Sequence, residues 1–192
     1  IAVQSGVARG IFSNESGLGS APIAAAAAKT KEPVRQGLVS MTGTFIDTII
    51  ICTMTGLSIV LTGAWQAEGL EGVEVTTYAF QNGLPFPNEV ASFILMVCLI
   101  FFAFTTILGW DYYSERCLEY LSGGKMKAVK VFRWIYILAV FIGPYMTVSA
   151  VWTIADIFNG LMAIPNMIAI FALSGIVVKE TRDFFQKKKH KM

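Results

Sequence analysis

Long apolar stretches alternate with short polar segments along this chain. About 20 consecutive apolar residues are enough to span the hydrocarbon core of a bilayer. The pattern predicts four membrane-spanning helices, of which the third is bent at its end by Pro144: 37–63, 90–112, 129–147 and 148–178. Segment 64–89, between the first two helices, contains four glutamates and no Lys or Arg. The pattern therefore predicts an all-α integral membrane protein.

The last apolar segment is longer than one crossing requires. It has 31 residues, and Gly160, Pro165 and Asn166 interrupt it. Hydropathy alone allows two short helices here. A single helix broken near 160–166 is favoured, because two crossings would place the basic residues at 179–192 on the opposite side from the other basic residues.

The positions of the positive charges predict the topology. Charged residues make up only 15% of the 192 residues and the net charge is +2, so composition indicates no nucleic-acid partner. No Lys or Arg occurs in 36–115 or 134–178. The fifteen basic residues fall into three zones: Arg9 to Arg35, Arg116 to Arg133, and Lys179 to Lys191. Loops rich in Lys and Arg stay cytoplasmic. All three zones, including the tail 179–192 with its single His190, are therefore expected in the cytoplasm, and 64–89 outside.

A polar, glycine-rich motif precedes the first apolar segment. Residues 13–20 read Ser-Asn-Glu-Ser-Gly-Leu-Gly-Ser and are followed by Ala-Pro-Ile and five alanines. A phosphate-binding loop requires a Lys directly after its last glycine, but no Lys follows Gly19. A dinucleotide-binding fingerprint needs a glycine at the position that Pro22 occupies. Glycines permit unusual backbone geometry, and Pro22 suits the first turn of a helix capped by Ser20. The motif therefore predicts a helix break, either a structural turn or a hinge.

This motif and two later segments resemble the sodium:alanine symporters, the amino acid carrier family. The later segments are FFAFTTILGWDYYSERCLEYLSG and WTIADIFNGLMAIPNMIAIFALSGIVV. The resemblance implies the C-terminal part of a LeuT-type core with inverted repeats, in a bacterial plasma membrane. Residues 1–10 would then end a core helix, and 11–36 would be a cytoplasmic motif loop with a short helix. The N-terminal half of the transporter would be missing from the chain.

The resemblance also implies a function and a set of site residues. The function is sodium-coupled uptake of alanine or glycine, with sodium as the coupling ion and no other cofactor. Thr105 and Thr106 would bind sodium, because hard cations prefer oxygen ligands, and Thr106 with Trp110 would contact the substrate. The alternatives are hydroxyls bonded to the preceding turn and an interfacial aromatic side chain.

Several polar residues are candidates for gating. The resemblance and the helix-break interpretation suggest such a role for four motif residues and for one carboxylate inside the first apolar segment: Asn14, Glu15, Gly17, Gly19 and Asp47. A carboxylate within a membrane is a functional candidate by default, although a structural hydrogen bond would also satisfy it. Asp156, near the outer end of the last helix, is either a functional residue or a solvated one.

Two other classes of protein are weighed against a transporter. An intramembrane enzyme would need paired catalytic groups, and the sequence contains neither a Gly-x-Gly-Asp motif nor a His-Glu-x-x-His motif. A non-transporting membrane subunit is the second alternative. Half of a symporter core cannot enclose a site, so this alternative would gain weight if the natural chain were this short. The sequence favours a transporter and predicts no enzymatic activity.

Overall fold

The computed structural model describes residues 2–189, and every regular element among them is helical. The chain forms seven helices, with a short 3₁₀ turn after the third and another after the sixth: α1 (Ala2–Ser13), α2 (Ala21–Ala25), α3 (Pro33–Leu61), α4 (Val73–Gly83), α5 (Asn88–Leu121), α6 (Met126–Ile142) and α7 (Val148–Lys189). His190 and Lys191, which the sequence assigns to a basic tail, lie outside the described residues.

Three of these helices, α3, α5 and α7, are long and apolar enough to cross a membrane. In the most apolar stretch of each, 0%, 11% and 0% of the residues are buried within the chain. Large apolar surfaces of this kind mark contact with lipid or with other protein. The prediction of an all-helical membrane protein agrees with this arrangement.

Helix α3 departs from regular α-helical geometry within its apolar segment. Residues Ile46–Cys52 form a π-helix, and the α-helix resumes at Thr53 and continues to Leu61. Several hydroxyls on α3 hydrogen bond to carbonyls of the preceding turn at 2.6–3.0 Å: Thr42, Thr55, Ser58 and Thr62. Backbone hydrogen bonding of this kind satisfies hydroxyls without a partner helix.

Segment 64–89, which the sequence assigns to an extracellular loop, is largely structured. It contains the 3₁₀ turn Ala64–Gln66 and the 11-residue helix α4, which contacts this turn and the Thr53–Leu61 part of α3. The Gln81 amide donates a 2.7 Å hydrogen bond to the Ser92 hydroxyl, and Ala79 and Ala91 are fully buried. The Gln81–Ser92 hydrogen bond therefore links α4 to the start of α5.

Helices α5 and α6 differ in length from the predicted spans. Helix α5 runs to Leu121, beyond the expected end at 112, and a turn with a 2.9 Å bond from the Gly124 amide to the Glu119 carbonyl ends it. Helix α6 has 17 residues, begins at Met126, before the expected start at 129, and stops at the Gly143–Tyr145 turn, which contains Pro144. It is about 26 Å long, shorter than a typical hydrocarbon core. The crossing expected there stays a prediction.

The expected break near 160–166 is absent from α7. The helix is continuous from Val148 to Lys189, with Pro165 inside it. A proline removes one backbone hydrogen bond, and helices in membranes tolerate this loss. The Thr147 hydroxyl accepts a 3.3 Å bond from the Ala150 amide and caps the start of the helix. One helix of 42 residues therefore replaces the broken helix.

The chain divides into two compact units. One comprises residues 1–44 and 113–192, and the other residues 45–112. In the first unit Leu18, Ser20, Glu115 and Val129 are buried, and in the second Ala64, Ala79, Ala91 and Leu95 are buried. The glycine-rich motif belongs to the first unit, and the threonine pair belongs to the second.

Candidate functional site

The motif forms a compact turn between α1 and α2. Glu15, Gly17 and Gly19 have backbone φ angles of 52°, 79° and 84°, in the left-handed region that favours glycine. The Asn14 side-chain amide donates a 3.0 Å bond to the Gly10 carbonyl, at the end of α1. The predicted helix break is therefore present.

Three details describe the motif further, and the absent Ser20 cap differs from the sequence prediction. Helix α2 is only five residues long, because tighter i to i+3 bonds at Ala27 and Ala28 replace the helical pattern. Ser20 is 1% exposed at the start of α2, yet its hydroxyl makes no capping hydrogen bond. The Glu15 carboxylate hydrogen bonds to the Tyr113 side chain.

The turn packs directly against the middle of α7. An added Cβ at Gly19 would lie 3.1 Å from Asn166 Oδ1 and 3.2 Å from Asn166 Cβ, whereas one at Gly17 would meet nothing within 4 Å. Sequence reasoning noticed Asn166 only as a helix interruption. Its position inside an apolar segment was the available signal that it meets a polar or tightly packed neighbour.

At the other end of the motif, α1 is joined to α7 by charge and ring contacts. Arg9 Nη1 lies 2.7 Å from Asp156 Oδ1, and Arg9 Nη2 lies 3.3 Å from Asp156 Oδ2. The guanidinium carbon lies 3.8 Å from the centre of the Trp152 ring, and Phe12 meets the same ring edge-on at 5.8 Å. We call these four residues the α1–α7 clamp.

Contacts with α7 show how far the N-terminal segment extends along that helix. Arg9 meets Asp156, Gly19 meets Asn166, and Lys31 lines a small cavity with Asp183. Positions 156 and 183 are about 40 Å apart along a helix axis, and a hydrocarbon core is about 30 Å thick.

This distance separates basic residues that the sequence assigns to one side of the membrane, and their sidedness stays a prediction. Arg9 was expected on the same side as Lys29, Lys31 and Arg35, but it lies at the opposite end of α7 from Lys31. Counting basic residues along the sequence cannot reveal the separation of Arg9 from Lys31. A single arginine paired with a carboxylate does not indicate a side of the membrane as a cluster of unpaired basic residues does. The motif, with Gly19 at Asn166, lies between the two ends.

The predicted sodium ligands lie on α5, in the other unit. The Thr105 hydroxyl is 3.0 Å from the Phe101 and Phe102 carbonyls, and the Thr106 hydroxyl is 2.8 Å from the Phe102 carbonyl. These are the backbone hydrogen bonds that the sequence left open as the alternative. A hydroxyl that donates its proton keeps lone pairs that can accept, so this geometry is compatible with cation binding.

The remaining predicted residues lie on the same unit as the threonine pair. Trp110 is one turn after Thr106 and is half-buried. Asp47 is half-buried in the first turn of the π-helix of α3. Single π turns within α-helices occur frequently at functional sites, and the sequence gave no sign of this one.

Comparison with known proteins identifies a family whose match includes both the motif and the threonine pair. The family model described as the sodium:alanine symporter family matches residues 1–192. The chain belongs to this family. It is 60% identical over 188 residues to an uncharacterized transporter of Haemophilus influenzae, with 98% of this chain and 40% of the relative covered. The predicted family is thus confirmed.

Two further relatives have names that state a substrate. The chain is 48% identical to the sodium/alanine symporter AgcS of Methanococcus maripaludis, and covers 41% of it. It is 39% identical to the probable sodium/glutamine symporter GlnT of Bacillus subtilis, and covers 38% of that protein. The chain therefore spans about two fifths of the length of these curated relatives. No solved structure matches the chain.

Proposed function

We propose that this protein is a secondary active transporter that carries a small neutral amino acid into the cell together with sodium. The observation that carries this proposal is the family match over the whole chain, which includes the motif and the threonine pair. Three helices of membrane-spanning length and composition are in keeping with it. The family match favours a transporter over a non-transporting membrane subunit or an intramembrane enzyme.

The proposed substrate is alanine or glycine. The relative named as a sodium/alanine symporter is 48% identical, and the one named as a probable sodium/glutamine symporter is 39% identical. Because both matches cover nearly the whole chain, the difference in identity favours the smaller substrate. Glutamine is retained as the competing substrate in the test below.

Thr105 and Thr106 are the proposed sodium ligands, and Thr106 with Trp110 the proposed substrate contacts. Both hydroxyls donate to carbonyls of the preceding turn, so an oxygen lone pair of each is available to a cation. Oxygen ligands suit a hard cation, and a neutral pair avoids the cost of an unpaired charge in the membrane. The Trp110 ring, one turn further on, would limit the size of the side chain accepted.

The motif and Asp47 have proposed roles in gating. Left-handed backbone angles at Gly17 and Gly19 support a hinge between α1 and α2. Asp47 lies in the first turn of a π-helical segment, where the wider turn weakens the regular hydrogen-bond ladder. Hinges are a few residues at the ends of elements that absorb large changes in backbone angle. A LeuT-type core in the plasma membrane, with the basic end of α7 in the cytoplasm, completes the proposal.

The decisive experiment measures uptake by the full-length protein in proteoliposomes. Labelled alanine, glycine and glutamine are compared with an inward sodium gradient and with potassium in its place. We expect sodium-dependent uptake of alanine or glycine. Equal uptake in potassium would reject sodium coupling, and a preference for glutamine would reject the proposed substrate while leaving the transporter class intact.

The site assignment has its own variants. Thr106→Ala removes the proposed ligand oxygen, and Thr106→Ser keeps it. The sodium concentration for half-maximal uptake should rise in the alanine variant and stay near the wild-type value in the serine variant. Unchanged sodium dependence in Thr106→Ala would reject the assignment of this residue alone.

A further inference from the structure

One side of α6 carries a stripe of exposed residues that has no part in the proposed sodium and substrate contacts. The stripe consists of five residues at helical spacing: Lys127, Lys130, Trp134, Leu138 and Phe141. With 3.6 residues per turn, their side chains lie within about 80° of one another around the helix. All five are exposed, and the Trp134 and Phe141 side chains are 73% and 67% exposed. We call this stripe the α6 outer face.

The opposite side of α6 attaches the helix to the rest of its unit. Val129 is 2% exposed, and Arg133 pairs with the buried Glu115 of α5. Val129 lies about 100–160° around the helix from the two lysines of the outer face. Packing on this side therefore fixes which side of α6 is turned outward.

The two lysines of the outer face are close together and unpaired. They are three residues apart, so their side chains are neighbours on the helix surface. The nearest carboxylates on α5 are engaged elsewhere, since Glu115 pairs with Arg133 and Glu119 pairs with Arg116. Neither lysine forms an ion pair with another residue that the structure describes. Like charges at this spacing repel each other, so a bound anion would relieve a cost that the chain leaves uncompensated.

Charged and apolar surface follow one another along the outer face in the order found in an amphiphile. The lysines come first, Trp134 follows, and Leu138 and Phe141 continue the face as apolar surface. Tryptophan is enriched at the level of the lipid headgroups. The distance from Trp134 to Phe141 is about 11 Å along the helix axis, which fits within the hydrocarbon of one leaflet, about 15 Å thick. A soluble acidic partner would leave this apolar part uncovered.

We propose that the α6 outer face binds an anionic phospholipid, whose phosphate group is held by Lys127 and Lys130 and whose acyl chain lies along Leu138 and Phe141. Lysine carries three hydrogen-bond donors on a flexible stem, and clusters of basic residues beside a membrane segment attract anionic headgroups. The proposal goes beyond transport and does not depend on it. It holds whether α6 crosses the membrane or stays within one leaflet.

The test identifies what touches this face in a bilayer. The full-length protein carries a photo-crosslinking amino acid in place of Val131, which is 61% exposed and is a neighbour of Lys127 and Trp134 on the helix. The protein is reconstituted into vesicles that contain equal amounts of phosphatidylglycerol and phosphatidylcholine. After illumination, mass spectrometry of the peptide that contains residue 131 identifies the attached lipid or protein segment.

Two double variants of this protein are compared. Lys127→Gln with Lys130→Gln removes both charges of the outer face. Lys29→Gln with Lys125→Gln removes the same number of charges from exposed positions that precede α2's partner helix and α6, outside the outer face. Because all four lysines are exposed, both variants should keep the melting temperature of the parent protein.

We expect crosslinks to phosphatidylglycerol to exceed those to phosphatidylcholine by about 5-fold or more, as the attraction of lysines to an anionic headgroup implies. The two lipids should be crosslinked about equally in Lys127→Gln with Lys130→Gln, and the excess should persist in the control variant. Equal crosslinking of both lipids in the parent protein, or an equal loss in the control variant, would overturn the site. Crosslinks to another segment of the chain would show that protein covers this face, and would also overturn it.

The outcome is separable from that of the proposed function. Crosslinking requires neither sodium nor an amino acid, so it reports on the outer face whatever the uptake experiment shows. A sodium-dependent uptake together with equal crosslinking of the two lipids would leave the transport proposal intact and reject the lipid site.

Discussion

Gly19→Ala should be more damaging than Gly17→Ala, although both replace a glycine of the same turn with the same residue. Their φ angles are nearly equal, at 84° and 79°. A left-handed backbone costs a residue with a Cβ about 1–2 kcal/mol, so both variants lose this amount. The turn geometry alone therefore predicts equal effects.

Packing distinguishes the two positions. A Cβ at Gly19 would lie 3.1–3.2 Å from three atoms of Asn166, whereas one at Gly17 meets nothing within 4 Å. Overpacking a tight contact costs about 1–3 kcal/mol. We therefore expect a loss of about 2–5 kcal/mol for Gly19→Ala and about 1–2 kcal/mol for Gly17→Ala.

The assay is the thermal stability of the full-length protein in detergent, together with sodium-dependent uptake at a temperature where all variants are folded. The ranking should be wild type, Gly17→Ala, then Gly19→Ala in both measurements. Combining Gly19→Ala with Asn166→Ala should recover part of the additional loss, because it removes Asn166 Oδ1. Equal melting temperatures for the two glycine variants would refute the contact between the turn and α7.

Four further predictions concern other residues. Glu115 is 6% exposed and pairs with the more exposed Arg133. Arg133→Met leaves a buried carboxylate without this partner and should lower the free energy of unfolding by about 3 kcal/mol. Glu115→Gln should lower it clearly less in the same thermal assay. Glu119→Gln breaks only an exposed pair and should change stability by less than about 1 kcal/mol. Thr106→Ala should raise the sodium requirement for uptake, as set out above. Ser92→Ala removes the hydrogen bond that joins α4 to α5 and should cost about 1 kcal/mol; no change in melting temperature would mean that water replaces it.

Much of the helical architecture could be predicted from the sequence, because apolar segments of membrane length have few alternatives to a helix. The long helices at 37–63, 90–112 and 148–178 are present, with changed ends. The break near 160–166 was a wrong prediction. Gly160, Pro165 and Asn166 interrupt the hydropathy pattern, but a single missing hydrogen bond does not end a helix whose other turns are intact.

The candidate site was less accessible to sequence reasoning. Thr105 and Thr106 could be named from their position in an apolar segment. In the structure, their hydroxyls donate hydrogen bonds to backbone carbonyls. The π-helix around Asp47 could not be foreseen, because it depends on how one extra residue is accommodated within a turn. The pairing of Arg9 with Asp156 joins residues 147 positions apart, and no local pattern predicts such a contact.

The sequence by itself determined the helical membrane class, the family and the turn-forming motif, since these depend on local composition and on residue types that restrict the backbone. Only the tertiary structure decided where the motif lies. Charge placement put Arg9 beside Lys31 at one membrane face, whereas packing along α7 separates them by most of the helix. The physical reason is that an arginine paired with a carboxylate is stable at a depth or on a side where an unpaired one is not, and pairing is a property of the folded chain.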